Sequence, residues 1–265
     1  MKVNLQKSLG TIDLEFINND VKKLYQQGCL KALLPQSYST LSQIVLVNTS
    51  GGVTSGDKFN TNIDLHNTHM LTTSQAAEKV YSGYGDAAEL KYTINIDNST
   101  LFWIPNETIL FDNCNLRRQI DINLLNNSNL FFCETVVYGR SAMNETIEKG
   151  YYSDRWKMFN DNKIAHLEIN GFEDNIKRMQ ENKFMLNDNI AVNTIIILGS
   201  EMNKFYNVLK DNIHDEKSVT TGISEWDGKI VIRSISSNNY YLKKFTKNIV
   251  SVMMNNKIPY MWGAA

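Results

Sequence analysis

Short runs with apolar residues at every second position recur through residues 1–190 of this chain. In Leu90–Ile96 every second residue is apolar, which is typical of a strand with one buried and one solvated face. Asn, Ser, Asp and Gly separate such runs and favour turns. The runs extend over residues 41–47, 59–65, 90–96, 101–104, 120–124 and 130–138. Their spacing of about ten residues predicts a mainly β fold, as a sandwich, a barrel or a stacked sheet.

Two α-helices are predicted near the C-terminus. Ser200 is expected to cap the first, in which apolar residues recur at spacings of three and four over residues 202–213. The second is expected to begin after Asn238-Asn239 and to end before Pro259. A strand, residues 229–233, should lie between them. No low-complexity linker divides the chain, so we expect a single domain over residues 1–265.

The composition excludes several classes of protein. The 265 residues carry a net charge of −1 without a basic block, which argues against non-specific nucleic-acid binding. The first ten residues lack the apolar core of a signal peptide, and no run has the apolar length of a membrane span. Three cysteines without a CxxC pair argue against a disulfide framework. We expect a cytoplasmic protein.

A glycine-rich turn follows the apolar run at residues 44–47. Gly51, Gly52 and Gly56 indicate an unusual backbone path, because glycine reaches positive φ without a Cβ penalty. The spacing of Gly51 and Gly56 resembles a phosphate-binding loop, but Asp57 stands where that motif has lysine. A strand rather than a helix follows. A nucleotide site is therefore disfavoured, and a tight turn with a solvated Asp57 is the alternative.

Candidate carboxylates lie further along the chain. Glu134 is placed within the apolar run 130–138, followed by Arg140 and Glu145. A carboxylate inside such a strand needs a partner, because burying an unpaired charge is costly. Arg140 is the nearest cation in sequence, so a buried ion pair is the first interpretation. A glycosidase pair of Glu134 and Glu145, or an acidic lining for the passage of cations, are the alternatives.

Five segments together resemble the urease accessory proteins called UreD, or UreH in some bacteria. The glycine turn ending at Asp57 is similar to the family's GGxxxGD. The other four matches are Thr72–Tyr81, with an extra serine before Gln75, Trp103–Phe111, Glu134–Glu145, and Ile258–Trp262, where Tyr260 stands at a usually basic position. The resemblance covers residues 40–150 well and the C-terminal tail weakly.

The resemblance implies a helix-like stack of β-sheets with two helices and a role without catalysis. Proteins of this family bind the urease apoprotein and, through the accessory protein UreF, the GTPase UreG. They assist insertion of Ni²⁺ into urease, so Ni²⁺ would be handled transiently and no cofactor would be tightly bound. Contacts with membranes or nucleic acids are not expected.

A proposed nickel route through such proteins would give Asp57 and Glu134 a role as transient metal contacts. Thr72, Thr73 and Gln75 could supply neutral oxygens. Lys79 and Arg140 could orient the carboxylates through charge-assisted hydrogen bonds, with Glu145 in support. Glu148 and Glu168 are competing carboxylates without an assigned role. Two other functions stay open: an all-β hydrolase using Glu134 and Glu145, and a plain β binding module.

Overall fold

The structure is a computed structural model that describes residues 6–35, 41–140, 145–213, 216, 218–254 and 259–263. Ser141–Asn144 of the fourth matched segment and Ile258 of the fifth therefore lie outside the described residues. The strands are β1 (Leu9–Ile17), β2 (Asp20–Gly28), β3 (Leu30–Leu33), β4 (Ser42–Asn48), β5 (Lys58–His66), β6 (His69–Gln75), β7 (Glu78–Val80), β8 (Ala88–Asp97), β9 (Thr100–Trp103), β10 (Thr108–Leu110), β11 (Cys114–Leu125), β12 (Asn129–Tyr138), β13 (Lys149–Asn160), β14 (Lys163–Asn175), β15 (Ala191–Gly199), β16 (Thr220–Trp226) and β17 (Lys229–Ser236).

These strands form two sheets that face each other. Sheet A has seven strands in the order β14-β13-β11-β8-β5-β1-β2. Sheet B has ten, with β16-β17-β15-β12-β9-β6-β4-β3 in one row and β10 and β7 continuing from β12. Within both sheets the central strands run parallel, β1, β5, β8, β11 and β13 in sheet A and β4, β6, β9 and β12 in sheet B. The prediction of a mainly β, stacked fold is confirmed.

The chain passes repeatedly from sheet A to sheet B through similar corners. Asn67, Asn98 and Asn126 take positive φ at the corners that follow β5, β8 and β11. Asn98 Nδ2 donates to Asn67 Oδ1 at 2.6 Å, so successive corners are joined by their side chains. Asparagine tolerates this backbone region because its short polar side chain bonds locally. The three turns therefore stack as coils of one β-helical winding.

The main hydrophobic core lies between the sheets. Leu14, Ile63, Ile94 and Ile122 form one cross-strand row of sheet A, because the parallel strands pair in register. All four are buried in the same cluster. Rows of this kind let the branched side chains of one sheet pack against those of the other.

Helices cover the outer face of sheet B, where a second core lies. They are α2 (Met202–Asn212), α3 (Asn239–Met253) and α4 (Tyr260–Gly263), whereas Met179 of the short α1 (Lys177–Glu181) packs against the core between the sheets. The two predicted helices correspond to α2 and α3, and α3 buries Leu242, Phe245 and Ile249. Asn238 caps α3 by accepting from Tyr240 N. None of the described helices combines the length and apolarity needed to cross a membrane.

The predicted cap of α2 is wrong. Glu201 occupies the N-cap position and makes no side-chain cap. Ser200 Oγ instead donates to Asn127 Oδ1 at 2.8 Å. The hydroxyl is used to hold the start of α2 to the corner after β11, a contact that local sequence does not reveal.

Candidate functional site

A cavity of about 230 Å³ lies between the two sheets. Tyr92 and Arg118 of sheet A and Trp103 and Glu134 of sheet B contribute to its wall. Residues 75–79, with the glycines at 51 and 52, border the same space. The cavity is thus built where the inner faces of the sheets carry polar side chains instead of continuing the apolar rows.

A buried charge network forms one side of this cavity. Arg118 donates to both oxygens of Asp154, at 2.9 and 2.6 Å, and its Nη1 donates to Glu134 Oε2 at 2.9 Å. Trp103 Nε1 donates to Glu134 Oε1 at 2.8 Å, and the Tyr152 hydroxyl donates to Asp154 at 2.9 Å. Both carboxylates are fully hydrogen-bonded, which is what burial of charge requires. The network joins the two sheets through one cation and two anions.

Burial has a strong effect on the protonation of these groups. Desolvation raises the pKa of Glu134, although the guanidinium of Arg118 opposes the shift. Desolvation also raises the pKa of the Tyr92 hydroxyl, and the carboxylates of Glu78, Glu134 and Asp154 add to that effect. Burial is thus the main cause of both raised pKa values, and the neighbouring carboxylates add to it at Tyr92.

Glu78 is the carboxyl group at this wall that is half-buried and lacks a salt bridge to any described residue. Asn48 Nδ2 donates to its Oε1 at 3.1 Å. Desolvation, with a further contribution from Asp57, raises the pKa of Glu78 to about 7, while Asn48 and Arg118 oppose the shift. Glu78 can therefore gain or lose a proton near neutral pH. A carboxyl of this kind can exchange a proton for a cation.

Asp57 is buried at the glycine turn rather than solvated. Its Oδ1 accepts from Ser8 N at 2.7 Å and its Oδ2 from Thr54 N at 2.9 Å. The carboxylate therefore closes the turn and holds it to the N-terminal segment. Asp57 is not part of the cavity wall, but its charge contributes to the raised pKa of Glu78.

The predicted neutral ligands are divided between two faces of β6. Gln75 is exposed and borders the cavity, as does Lys79. The preceding residues show the two faces: Met70 belongs to the inner core between the sheets, and Leu71 belongs to the second core beneath the helices. By alternation, Thr72 points to the inner core and Thr73 to the helix side. Among the described residues, neither hydroxyl has a hydrogen-bond partner. Thr73 lies on the face of sheet B that the cavity does not reach.

The predicted pair of Glu134 and Arg140 is wrong. Arg140 lies at the surface, where its guanidinium forks onto Glu145 and stacks 4.2 Å from the centroid of the Phe111 ring. This hydrogen bonding lowers the pKa of Glu145. Arg118, sixteen positions before Glu134, takes the place expected of Arg140. Sheet stacking, and not closeness in sequence, selects the partner.

Glu134 and Glu145 do not form a catalytic pair in this arrangement. Glu134 lines the inter-sheet cavity, whereas Glu145 lines a separate open groove. A glycosidase requires both carboxyl groups to flank one cleft. The geometry gives no support to the hydrolase alternative.

Comparison with known proteins assigns the chain to a family. Residues 9–262 match the model of the UreD urease accessory protein family. The chain is 30% identical over 245 residues to the urease accessory protein UreD of Rhizobium leguminosarum bv. viciae, covering 91% of this chain and 89% of the relative. It is 32% identical over 242 residues to UreD of Rhodopseudomonas palustris strain BisB5, covering 91% and 85%. This chain belongs to the UreD family. Membership supports a role in urease maturation.

The segments that carried the UreD resemblance have distinct positions in the fold. The glycine turn, Trp103 and Glu134 border or support the cavity. Tyr81, Phe111, Arg140 and Glu145 instead meet in the surface groove. The family pattern is thus divided between an interior and an exterior site.

The sequence analysis missed Arg118 and Asp154 of the interior site, and it did not single out Glu78 within the match at Thr72–Tyr81. Arg118 and Asp154 each have a signal in the sequence. Arg118 occupies an inward position of β11, between Leu116 and Ile120. Asp154 similarly interrupts the buried positions of β13. A charge at an apolar position of an alternating strand predicts a buried pair, and opposite charges on two such strands predict each other.

Proposed function

We propose that this chain is a urease-maturation scaffold of the cytoplasm without an active site of its own. It binds the urease apoprotein and the accessory protein UreF, and through UreF the GTPase UreG. The UreD family match over residues 9–262 is the observation that carries this proposal. Ni²⁺ is its cargo and not a resident cofactor.

The interior cavity supports a further step, in which Ni²⁺ passes through this chain. A conduit must attract a dication without holding it, much as an ion pore balances entry against release. Carboxylates and amides suit this task better than a complete His or Cys set, which binds Ni²⁺ tightly. Glu78, Glu134 and the Gln75 amide provide such groups around the cavity.

Within this proposal the carboxylates have different tasks. Glu78 is the one that meets the ion, because Arg118 and Trp103 already occupy the oxygens of Glu134. Glu134 and Asp57 contribute mainly through their negative charge. Gln75 and Lys79 are exposed and border the cavity, so they lie where it meets the surface. Thr73, Arg140 and Glu145 lie elsewhere and have no part in this step.

Deletion and complementation in a urease-producing host test both the maturation role and the passage of Ni²⁺ through the chain. Without this chain, urease protein should be present but nickel-poor and inactive. Normal nickel occupancy after deletion would rule out the maturation role. Nickel per urease active site, measured by elemental analysis of purified urease, is the readout.

Conservative variants then test the conduit. Glu78→Gln should restore complex assembly but not full nickel content, since the amide cannot exchange a proton for a cation. Glu89→Gln, on the outer face of sheet A, is the matched control and should restore both. Asp57→Asn and Glu134→Gln should also lower nickel content, with folding checked by thermal melting because both carboxylates accept structural hydrogen bonds. Full activation by all three would refute the conduit and leave the scaffold role intact.

A further inference from the structure

Two open grooves adjoin at the surface outside the cavity. The first, of about 620 Å³, is lined by Phe111, Asp112 and Arg140 among others, and the second, of about 560 Å³, by Glu181 and Asp188 among others. Glu148 belongs to both walls, so the grooves form one continuous depression. We call it the acidic trench and define it by Asp112, Arg140, Glu145, Glu148, Glu181 and Asp188.

The charges along the acidic trench do not cancel. Arg140 is paired with Glu145, and Lys177 lies 3.6 Å from Glu181. In the part of the chain that the structure describes, no Lys or Arg forms a salt bridge with the other three carboxylates, Asp112, Glu148 and Asp188. The trench therefore keeps an excess of negative charge. A binding partner with Lys or Arg side chains would complement it.

Aromatic and apolar side chains make the trench suitable for a protein and not only for an ion. The Tyr81 and Phe111 rings are stacked edge to face at 5.0 Å, with Arg140 over the Phe111 face. The turn that carries Asp188 also exposes Phe184 and Met185, at 85% and 52%. Tyr, Phe, Met and Arg are enriched in protein interfaces, where aromatic rings act as anchors.

Hydrogen bonds join the segments that line the trench. Arg140 and Glu145 exchange two backbone hydrogen bonds, and the Glu145 carboxylate also accepts from Asp112 N. Asp112 in turn accepts from the backbone N–H groups of Glu148 and Lys149. Side chains from three separate segments are thereby fixed in place before binding, which lowers the entropy cost of association.

Three of the segments that match the UreD pattern contribute to this one groove. Tyr81 ends the match at 72–81, Phe111 ends the match at 103–111, and Arg140 and Glu145 belong to the match at 134–145. The conduit explains none of these four residues. Their convergence on an exposed surface therefore needs a second role.

We propose that the acidic trench is the docking surface for a basic segment of the urease apoprotein. The inference rests on the proposed function, which makes the apoprotein a partner, and adds the face that receives it. Lys or Arg side chains of the partner pair with Glu148 and Asp188, while an aliphatic stem packs on the Tyr81 ring.

Binding measurements with nickel-free urease apoprotein from the same host test the trench. Glu148→Lys with Asp188→Asn changes the charge by +3, and Glu225→Lys with Glu89→Gln makes the same change at exposed positions outside it. The trench variant should bind the apoprotein at least about tenfold more weakly, and the control within about twofold of the wild type. Phe184→Ser, which removes an exposed ring, should also weaken binding. Melting curves confirm that each variant is folded.

The outcomes separate the two proposals. Equal affinity of the trench variant and the control overturns the trench assignment while the scaffold role stands. A wild-type chain that does not bind the apoprotein, in the presence of its accessory partners, overturns both. Loss of affinity for an accessory protein, with apoprotein binding intact, assigns the trench to a different partner and overturns the inference.

Discussion

Arg118 is a buried cation whose two anionic partners come from opposite sheets. Its burial is tolerated because Asp154 and Glu134 accept from its donors, and Thr108 Oγ1 accepts a further bond at 3.1 Å. Despite desolvation, the charges of Asp154 and Glu134 raise the pKa of Arg118 well above its ordinary value. The guanidinium of Arg118 therefore stays charged over the whole pH range in which the protein is folded.

Arg118→Met is expected to destabilise the fold strongly, because it leaves two buried carboxylates without a cation. Breaking a buried pair in this way costs about 3–5 kcal/mol. Arg117→Met is a matched control, since Arg117 is the adjacent residue and points outward from β11. Its effect should stay within about 0.5 kcal/mol. Urea unfolding of both variants measures the difference, and equal free energies of unfolding would contradict a stabilising role for the network.

At the scale of single residues, the sequence predicted that Glu134 needs a partner but did not identify that partner. It predicted that Glu134 is buried and paired, and both statements hold in the structure. It named Arg140 as the partner because Arg140 is the nearest cation along the chain. The true partner depends on which strand of sheet A lies opposite β12, and that is decided by the coil stacking.

The glycine turn shows how a backbone path, rather than a side chain, limits what an element tolerates. Gly52 has φ +152°, and a Cβ there would lie 2.7 Å from the carbonyl oxygen of Lys79 and 2.3 Å from the Tyr81 ring. Gly51 has φ +80°, and a Cβ there would meet nothing within 4 Å. Two adjacent glycines are therefore required for different reasons.

Gly52→Ala is expected to cost more stability than Gly51→Ala. At Gly51 alanine meets only the penalty for left-handed backbone, about 1–2 kcal/mol. At Gly52 the clash with a backbone carbonyl adds to it, for a total of at least about 3 kcal/mol. Thermal and urea unfolding of the two variants provide the comparison. The reverse order would show that the segment 79–81 moves easily away from the turn.

Elements were predicted more successfully than their arrangement. The six early strand runs and both long helices appear in the structure close to their expected positions. The stacking of coils was implied only by the family resemblance, because the spacing of the strand runs left a sandwich, a barrel and a stacked sheet open. The sequence marks each coil only by a pair of residues, an Asn followed by Ser or Thr. These pairs are Asn67-Thr68, Asn98-Ser99 and Asn127-Ser128, at successive corners. Thr68 N donates to Ser99 Oγ and Ser99 N to Ser128 Oγ, so these pairs stack.

At the scale of the whole molecule, the two sheets must also be joined at the side where β14 ends sheet A. Glu168 of β14 accepts from Arg233 Nη2 of β17 at 2.6 Å and from Asn170 Nδ2 at 3.2 Å, and lies 3.2 Å from His166 Nε2. Lys229 Nζ donates to the Ala165 carbonyl at 2.7 Å. Glu168, unassigned in the sequence, thus has a structural position. It holds the last strand of sheet A to sheet B.

Glu168→Gln is expected to open this side of the molecule and to change how stability depends on pH. Desolvation alone would raise the pKa of Glu168, but hydrogen bonds from His166 and Arg233 lower it to about 2, from an ordinary value of 4.5. A carboxyl whose pKa is lowered in the folded state stabilises the fold fully above pH 4.5. The contribution falls as the pH drops from 4.5 through about 2. Its size near neutral pH is about 3 kcal/mol.

Urea unfolding at a series of pH values tests this dependence. The free energy of unfolding of the wild type should fall steeply between pH 4.5 and about 2. That of Glu168→Gln should be lower at neutral pH and should change less over the same pH interval. Glu173→Gln, exposed on the same strand, should follow the wild-type curve. Since Arg233 keeps its charge, the variant also leaves a half-exposed guanidinium without its carboxylate. Curves for Glu168→Gln and the wild type that stay parallel down to pH 2 would show that this cluster does not hold the sheets together.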